Sequence, residues 1–301
     1  MEKAVKENNY KWGLDLFRIL CCIGVLIYHI ADDNLDNKWT KLLYFSAGFC
    51  IPGFFLLSGY LIGIKENLTK EYCEKKIQQN IKKLTGYIIF WTILYFIWYG
   101  QYYNFIDEIE KSALSDGILP VGWFLFTWFL LLIFSYPFHY MMKNYFKVFF
   151  LSVILMMFLL NLEIKNEMNG VYFIERKVQV LWLHIYMPYF ILGMCIGKMK
   201  EQLEKIKIGF GGVVVSIVAY CYYINQVYSS EQYKIPGDYY GIWYYSLWLV
   251  GLFLFFLNLK TKKKYLQIYT HHIASNTFSI YMMHFPILIY LTRNNPITNF
   301  K

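Results

Sequence analysis

Nine apolar runs, each about long enough to cross a bilayer, alternate along this chain with short segments rich in lysine. They cover residues 12–30, 42–64, 84–99, 121–138, 146–162, 181–197, 208–227, 241–259 and 274–292. A membrane is crossed by roughly 17–25 predominantly apolar residues, and lipid leaves backbone polar groups no partner outside the segment, so these runs are expected to be helices. Only 16% of the residues are charged and 57% are hydrophobic. Water-soluble domains carry about 25% charged residues, so this chain has too few to coat such a surface. The expected fold is all-α, a polytopic transmembrane helix bundle of about nine spans. It forms one membrane-embedded unit over residues 1–301.

Charge placement orients such a bundle. Counting from an inside N-terminus, the cytoplasmic segments hold Lys65, Lys70, Lys75, Lys76, Lys82, Lys83, Lys198, Lys200, Lys205, Lys207 and the run Lys262, Lys263, Lys264. The opposite loops are poorer in lysine and collect Asp32, Asp33, Asp36, Asp107, Glu108, Glu110 and Asp116. The positive-inside rule then expects the N-terminus inside, and an odd helix count places Lys301 outside. The same placement accounts for the formal charge of +9 without any nucleic acid. Lys3, Lys6 and Lys11 before the first run resemble a secretory signal. However, the run contains Asp15, Arg18 and His29 and is followed by no small-x-small cleavage site. The cysteines Cys21, Cys22, Cys50, Cys73, Cys195 and Cys221 show no CxxC spacing, and no HExxH-like pattern occurs, so no metal is expected.

Asp15 and Arg18 form an opposite-charge pair inside the first run. An ionised side chain at the centre of a spanning helix costs roughly 2.5–3.5 kcal/mol on the insertion scale. The two are three residues apart and share a helix face. His29 lies eleven residues beyond Arg18; that spacing returns to within about 20° of the same face, about 16 Å further along. One stripe therefore carries Asp15, Arg18, Cys22, Val25 and His29 and is expected to face the bundle interior or a watery cavity. A purely structural reading stands beside it, in which the charges snorkel to the headgroups at the two helix ends. The basic segment from Lys65 to Lys83 likewise reads either as an amphipathic helix on the membrane surface or as a docking site for an anionic donor.

Taken together these residues resemble the integral membrane acyltransferase family 3, the O-acyltransferases that decorate glycans. Arg18, ten residues, then His29 matches the family's first-helix signature. Gly53-Phe54-Phe55-Leu56-Leu57-Ser58-Gly59-Tyr60 resembles its FFxxSG motif, and Pro120-Val121-Gly122-Trp123-Phe124-Leu125 its LWFL segment. Tyr189-Phe190-Ile191-Leu192-Gly193-Met194 is similar to YFLLG, and Phe278-Ser279-Ile280-Tyr281-Met282-Met283-His284-Phe285-Pro286 to SYxIYLLHFP. The five matches keep the family's order from residue 12 to about 290. Two features depart from it. Asn80-Ile81-Lys82-Lys83 stands where a paired-arginine RxxR motif is usual, keeping charge but losing the bidentate fork. The family also has ten helices as a rule, whereas this chain stops soon after the ninth run.

The resemblance implies transfer of an acyl group, most often acetyl, from cytosolic acyl-CoA as co-substrate to a hydroxyl of a cell-surface or secreted glycan. No bound cofactor is implied. His29 would act as general base or transient acyl carrier, Arg18 would face the donor's negative charge, and Asp15 would orient Arg18. Donor binding would involve Lys82, Lys83, Ser58, Gly59, Tyr281 and His284. For each of these a structural role competes, because small residues are expected wherever membrane helices pack and a histidine in a helix core is commonly bonded to a neighbour. Trp123 reads as an interfacial anchor, and His184, His271 and His272 as interfacial histidines. The expected partners are acyl-CoA, a glycan acceptor and the lipid bilayer, with a second copy or another protein covering the face of the absent helix. A bacterial cytoplasmic membrane is the expected location. The second reading is a catalytically inactive relative serving glycan export, against which no repeated halves with matching broken helices are seen.

Overall fold

The computed structural model describes residues 11–32, 35–65, 69–99, 111, 122–168, 183–205, 210–229 and 235–293. All regular elements among the described residues are helical. They are α1 (Trp12–Ala31), α2 (Lys38–Ala47), α3 (Cys50–Gly63), α4 (Lys70–Tyr99), α5 (Gly122–Ile133), α6 (Ser135–Asn144) and α7 (Phe146–Met168). Then follow α8 (Leu183–Lys198), α9 (Lys200–Lys205), α10 (Phe210–Ser229), a 3-10 turn (Pro236–Tyr239), α11 (Trp243–Asn258), α12 (Lys264–Ser275) and α13 (Thr277–Arg293).

The expectation of about nine spans does not survive. Two of the described helical stretches are long and apolar enough to cross a membrane, Trp12–Ala31 and Lys38–Gly63. The pair α5 and α6 adds a third if it counts as one span despite its 45° bend. The physical reason is that an apolar run need not become one straight, apolar helix of sufficient length. The run at 121–138 breaks at Phe134. The one at 241–259 becomes the 16-residue α11, about 24 Å long against a hydrocarbon core of about 30 Å. The 84–99 run is the second half of a 30-residue helix whose first half is charged. In α8 and α13, of 16 and 17 residues, Pro188 and Pro286 lie inside the helix. The inside N-terminus had been derived together with that count and falls with it.

Helix α1 lies at the middle of the packing and touches α2, α3, α11, α12 and α13. It carries an apolar core face through Leu14, Phe17, Cys21 and Val25, all buried. Phe17 meets Phe253 of α11 edge-on at 5.1 Å. The acid of α1 lies in its first turn and its histidine in its last, the arrangement a helix dipole favours. The most extensive contact between elements joins α3 to α8. There a Cβ on Gly59 would strike the Phe190 carbonyl, and one on Gly193 would strike that of Leu56. Small residues at both positions let the two backbones meet, in the absence of any hydrophobic drive between helices in lipid.

Candidate functional site

The two ends of α1 are held in different ways. Near its start, Asp15 is buried. Its Oδ2 lies 2.9 Å from Nδ1 of His271 on α12, and an ionised carboxylate only accepts, so the ring nitrogen carries the proton of this bond. Arg18 lies one turn further along, with a guanidinium nitrogen 3.8 Å from the other oxygen of Asp15. That separation is an ion pair but is too long for a hydrogen bond. The Trp12 indole N–H donates to Thr270 Oγ1 at 2.9 Å, giving α12 a second attachment next to the first. On the neighbouring side Lys11 Nζ donates to the Tyr60 hydroxyl of α3 at 3.0 Å.

At the other end, His29 meets His284 of α13, their ring centroids 5.2 Å apart and tilted by 32°. His284 is buried, and its Nδ1 is bonded to the Tyr281 carbonyl one turn earlier. A carbonyl accepts, so Nδ1 of His284 holds the proton; in the neutral ring Nε2 is then the acceptor nitrogen. Tyr281 packs on His284 at 5.4 Å and on Phe124 of α5 at 5.1 Å. Beyond Phe124 the rings continue through Phe55 of α3, stacked on Tyr186 of α8, which is also stacked by Trp123. Tyr28 lies edge-on to His29 at 5.5 Å and accepts a bond of 3.0 Å from the Tyr44 hydroxyl of α2. Between the two ends of α1, the Cys22 thiol donates to the Thr277 carbonyl at 3.7 Å, tying α1 to the first turn of α13.

Arg18 and His29 are half-buried, while Asp15, Cys22 and Val25 are buried. Of the residues assigned to donor binding, Tyr281 and His284 come to the His29 end of α1. Ser58 is half-buried on α3, and Gly59 beside it forms the close contact with α8. Lys82 and Lys83 are exposed on α4. Trp123 and the described histidines have different surroundings. Trp123 joins the aromatic wall rather than standing alone at a helix end. His271 pairs with a buried acid, although its position between apolar runs had marked it as interfacial. No local pattern connects residues 15 and 271. The signal in the sequence was indirect: a buried acid whose only same-helix cation is an arginine one turn away still has lone pairs to satisfy.

The arrangement offers a basic, anion-compatible group at one end of a helix and a histidine pair walled by aromatic rings at the other. A family model described as an acyltransferase domain matches residues 11–300. Comparison with curated proteins and with solved structures finds no match.

Proposed function

This chain belongs to acyltransferase family 3, and from that premise we propose that it moves an acyl group from acyl-CoA, acetyl-CoA in the first instance, to a hydroxyl of a cell-surface or secreted glycan. The setting is a multi-pass protein of a bacterial cytoplasmic membrane. The observation that carries the reading is the juxtaposition of His29 with His284, at the end of a helix whose other end bears Arg18.

In this mechanism the acceptor hydroxyl sits against His29. The imidazole takes its proton as the oxygen attacks the thioester carbonyl. The C–O bond forms, the C–S bond breaks, and the leaving thiolate takes the proton back from the imidazolium. His284 packs against His29 and limits its ring positions. Arg18 faces the donor's anionic groups, with the Asp15 carboxylate one turn earlier at ion-pair distance from the guanidinium. An extended donor, charged at one end and reactive at the other, matches a helix with its cation and its base about 16 Å apart. Ser58, Lys82 and Lys83 remain proposed donor contacts.

The test is transfer of label from acetyl-CoA to glycan in membranes carrying the wild type or His29→Ala. Loss of general-base catalysis lowers the rate by about 10²–10⁴-fold. Equal labelling by the two proteins would sink the assignment of His29. Label in neither, with glycan export still altered by Arg18→Ala, would transfer the case to the export reading.

A further inference from the structure

His271 lies outside every residue assigned a chemical role above, yet its ring nitrogen lies within hydrogen-bond distance of the acid of α1. His271 and Arg18 both face the carboxylate of Asp15. With His271 the separation is 2.9 Å, and with Arg18 it is 3.8 Å. Carboxylate–guanidinium pairs are frequently bidentate, with bonds of about 2.7–2.9 Å. Here that closure has not happened, although the two are one turn apart on the same helix. His271 holds Oδ2 and so sets the rotation of the carboxylate, whose Oδ1 faces Arg18 at ion-pair distance only. Thr270 accepts from the Trp12 indole at 2.9 Å, so adjacent residues of α12 hold two positions one turn apart on α1. Trp12 and Asp15 lie on the same helix face, which makes this a two-point attachment rather than a chance contact.

We infer that His271 is a positioning residue for the donor. By engaging Asp15 it keeps the carboxylate from closing on Arg18, and the guanidinium stays available to the donor's phosphates or thioester. The inference rests on the acyl-transfer reading, and it deepens that reading by assigning α12 the control of Arg18. Without His271, Asp15 becomes a competitor of the donor for the same guanidinium.

The probe is acetyl-CoA itself, with its Kd and transfer kinetics measured on the detergent-purified full chain. His271→Ala is expected to weaken acetyl-CoA binding about tenfold, the scale of one charge-assisted hydrogen bond, with kcat within about twofold of wild type. His271→Asn, whose amide can donate from near the Nδ1 position, restores binding. Adding Asp15→Ala to His271→Ala removes the competitor and brings Kd back toward wild type, a reversal that a merely structural role does not produce. Thr270→Val removes the other attachment of α12 without touching Asp15 and changes Kd by no more than about twofold to threefold, well short of the effect of His271→Ala. An unchanged Kd in His271→Ala, or weaker binding in the double variant than in His271→Ala, overturns the inference and leaves the acyl-transfer reading standing. A wild-type protein that binds no acetyl-CoA overturns both.

Discussion

The two ends of α1 differ in the kind of contact that holds them. The Asp15 end is fixed by polar bonds to α12: a histidine on a buried carboxylate and an indole on a threonine hydroxyl. The His29 end is fixed by ring packing, with His284, Tyr28, Tyr281 and Phe124 in succession. Polar bonds fix direction, because they lose strength steeply with distance and angle. Ring packing fixes volume and excludes water, and leaves small rotations open. The difference suits the division of labour proposed above. A guanidinium that must receive an anion needs its orientation controlled. A base that must take a proton and return it needs dry surroundings and some freedom.

If that division holds, substitutions at the two ends separate rate from affinity. The largest effect belongs to His29→Ala, a fall of about 10²–10⁴-fold in transfer with acetyl-CoA still bound. Arg18→Ala is expected to act in the opposite sense, raising the KM for acetyl-CoA by more than tenfold, the scale of a charge-assisted contact, while kcat falls less. Steady-state transfer assays over a range of acetyl-CoA concentrations read both. A matched loss of kcat and affinity in the two variants would erase the distinction between the ends. Asp15→Ala belongs with them in stability rather than rate. It strips a buried ion pair of its acid, and with Arg18 about a third exposed the cost is about 2 kcal/mol rather than the larger figure for a fully buried pair. Thermal unfolding in detergent measures it.

How the sequence and the structure compare follows the same division. The spacing of Asp15, Arg18 and His29 could be read directly, because helical periodicity is local and the three share one helix. The all-helical character could be read for the same reason, and the family motifs carried the identity of the chain. What pairs with each end of α1 could not be read, since Asp15 meets a residue 256 positions away and His29 one on the last helix. Span count failed for another reason. Hydropathy reports how apolar a run is, and neither a bend at Phe134 nor a charged half-helix before residue 84 changes that average. Gly59 shows a third limit. Its place in a family motif drew attention to chemistry, and the structure finds it against the Phe190 backbone, where the lack of a side chain is sufficient reason for it.

His284→Phe probes the ring wall with less disturbance. Phenylalanine keeps a flat ring of similar breadth and removes both nitrogens, so packing against His29 and Tyr281 is retained while the bond to the Tyr281 carbonyl is lost. If His284 acts by volume alone, transfer stays within about threefold of wild type and unfolding shifts by about 1 kcal/mol, the value of one hydrogen bond. A fall as deep as that of His29→Ala would mean that a nitrogen of His284 takes part in the proton transfer, and the His29 end would then rely on direction as much as the Asp15 end does.

The smallest expected effect tests the comparison from its weakest contact. Tyr28 accepts from the Tyr44 hydroxyl at 3.0 Å and is stacked on that ring at 4.6 Å. Tyr28→Phe removes the acceptor and keeps the stack, so it isolates direction from packing at the end where packing is held to dominate. The expected loss is about 0.5–1.5 kcal/mol in stability, the net value of one hydrogen bond, with transfer unchanged within error. Trp12→Phe is the matching change at the other end, removing the indole donor to Thr270 and keeping an aromatic ring. If polar bonds set the geometry at that end, Trp12→Phe perturbs acetyl-CoA affinity measurably, by about twofold to threefold, whereas Tyr28→Phe does not. Affinity changes of equal size in the two variants would show that α1 is held alike at both ends, whatever the chemistry of the contacts.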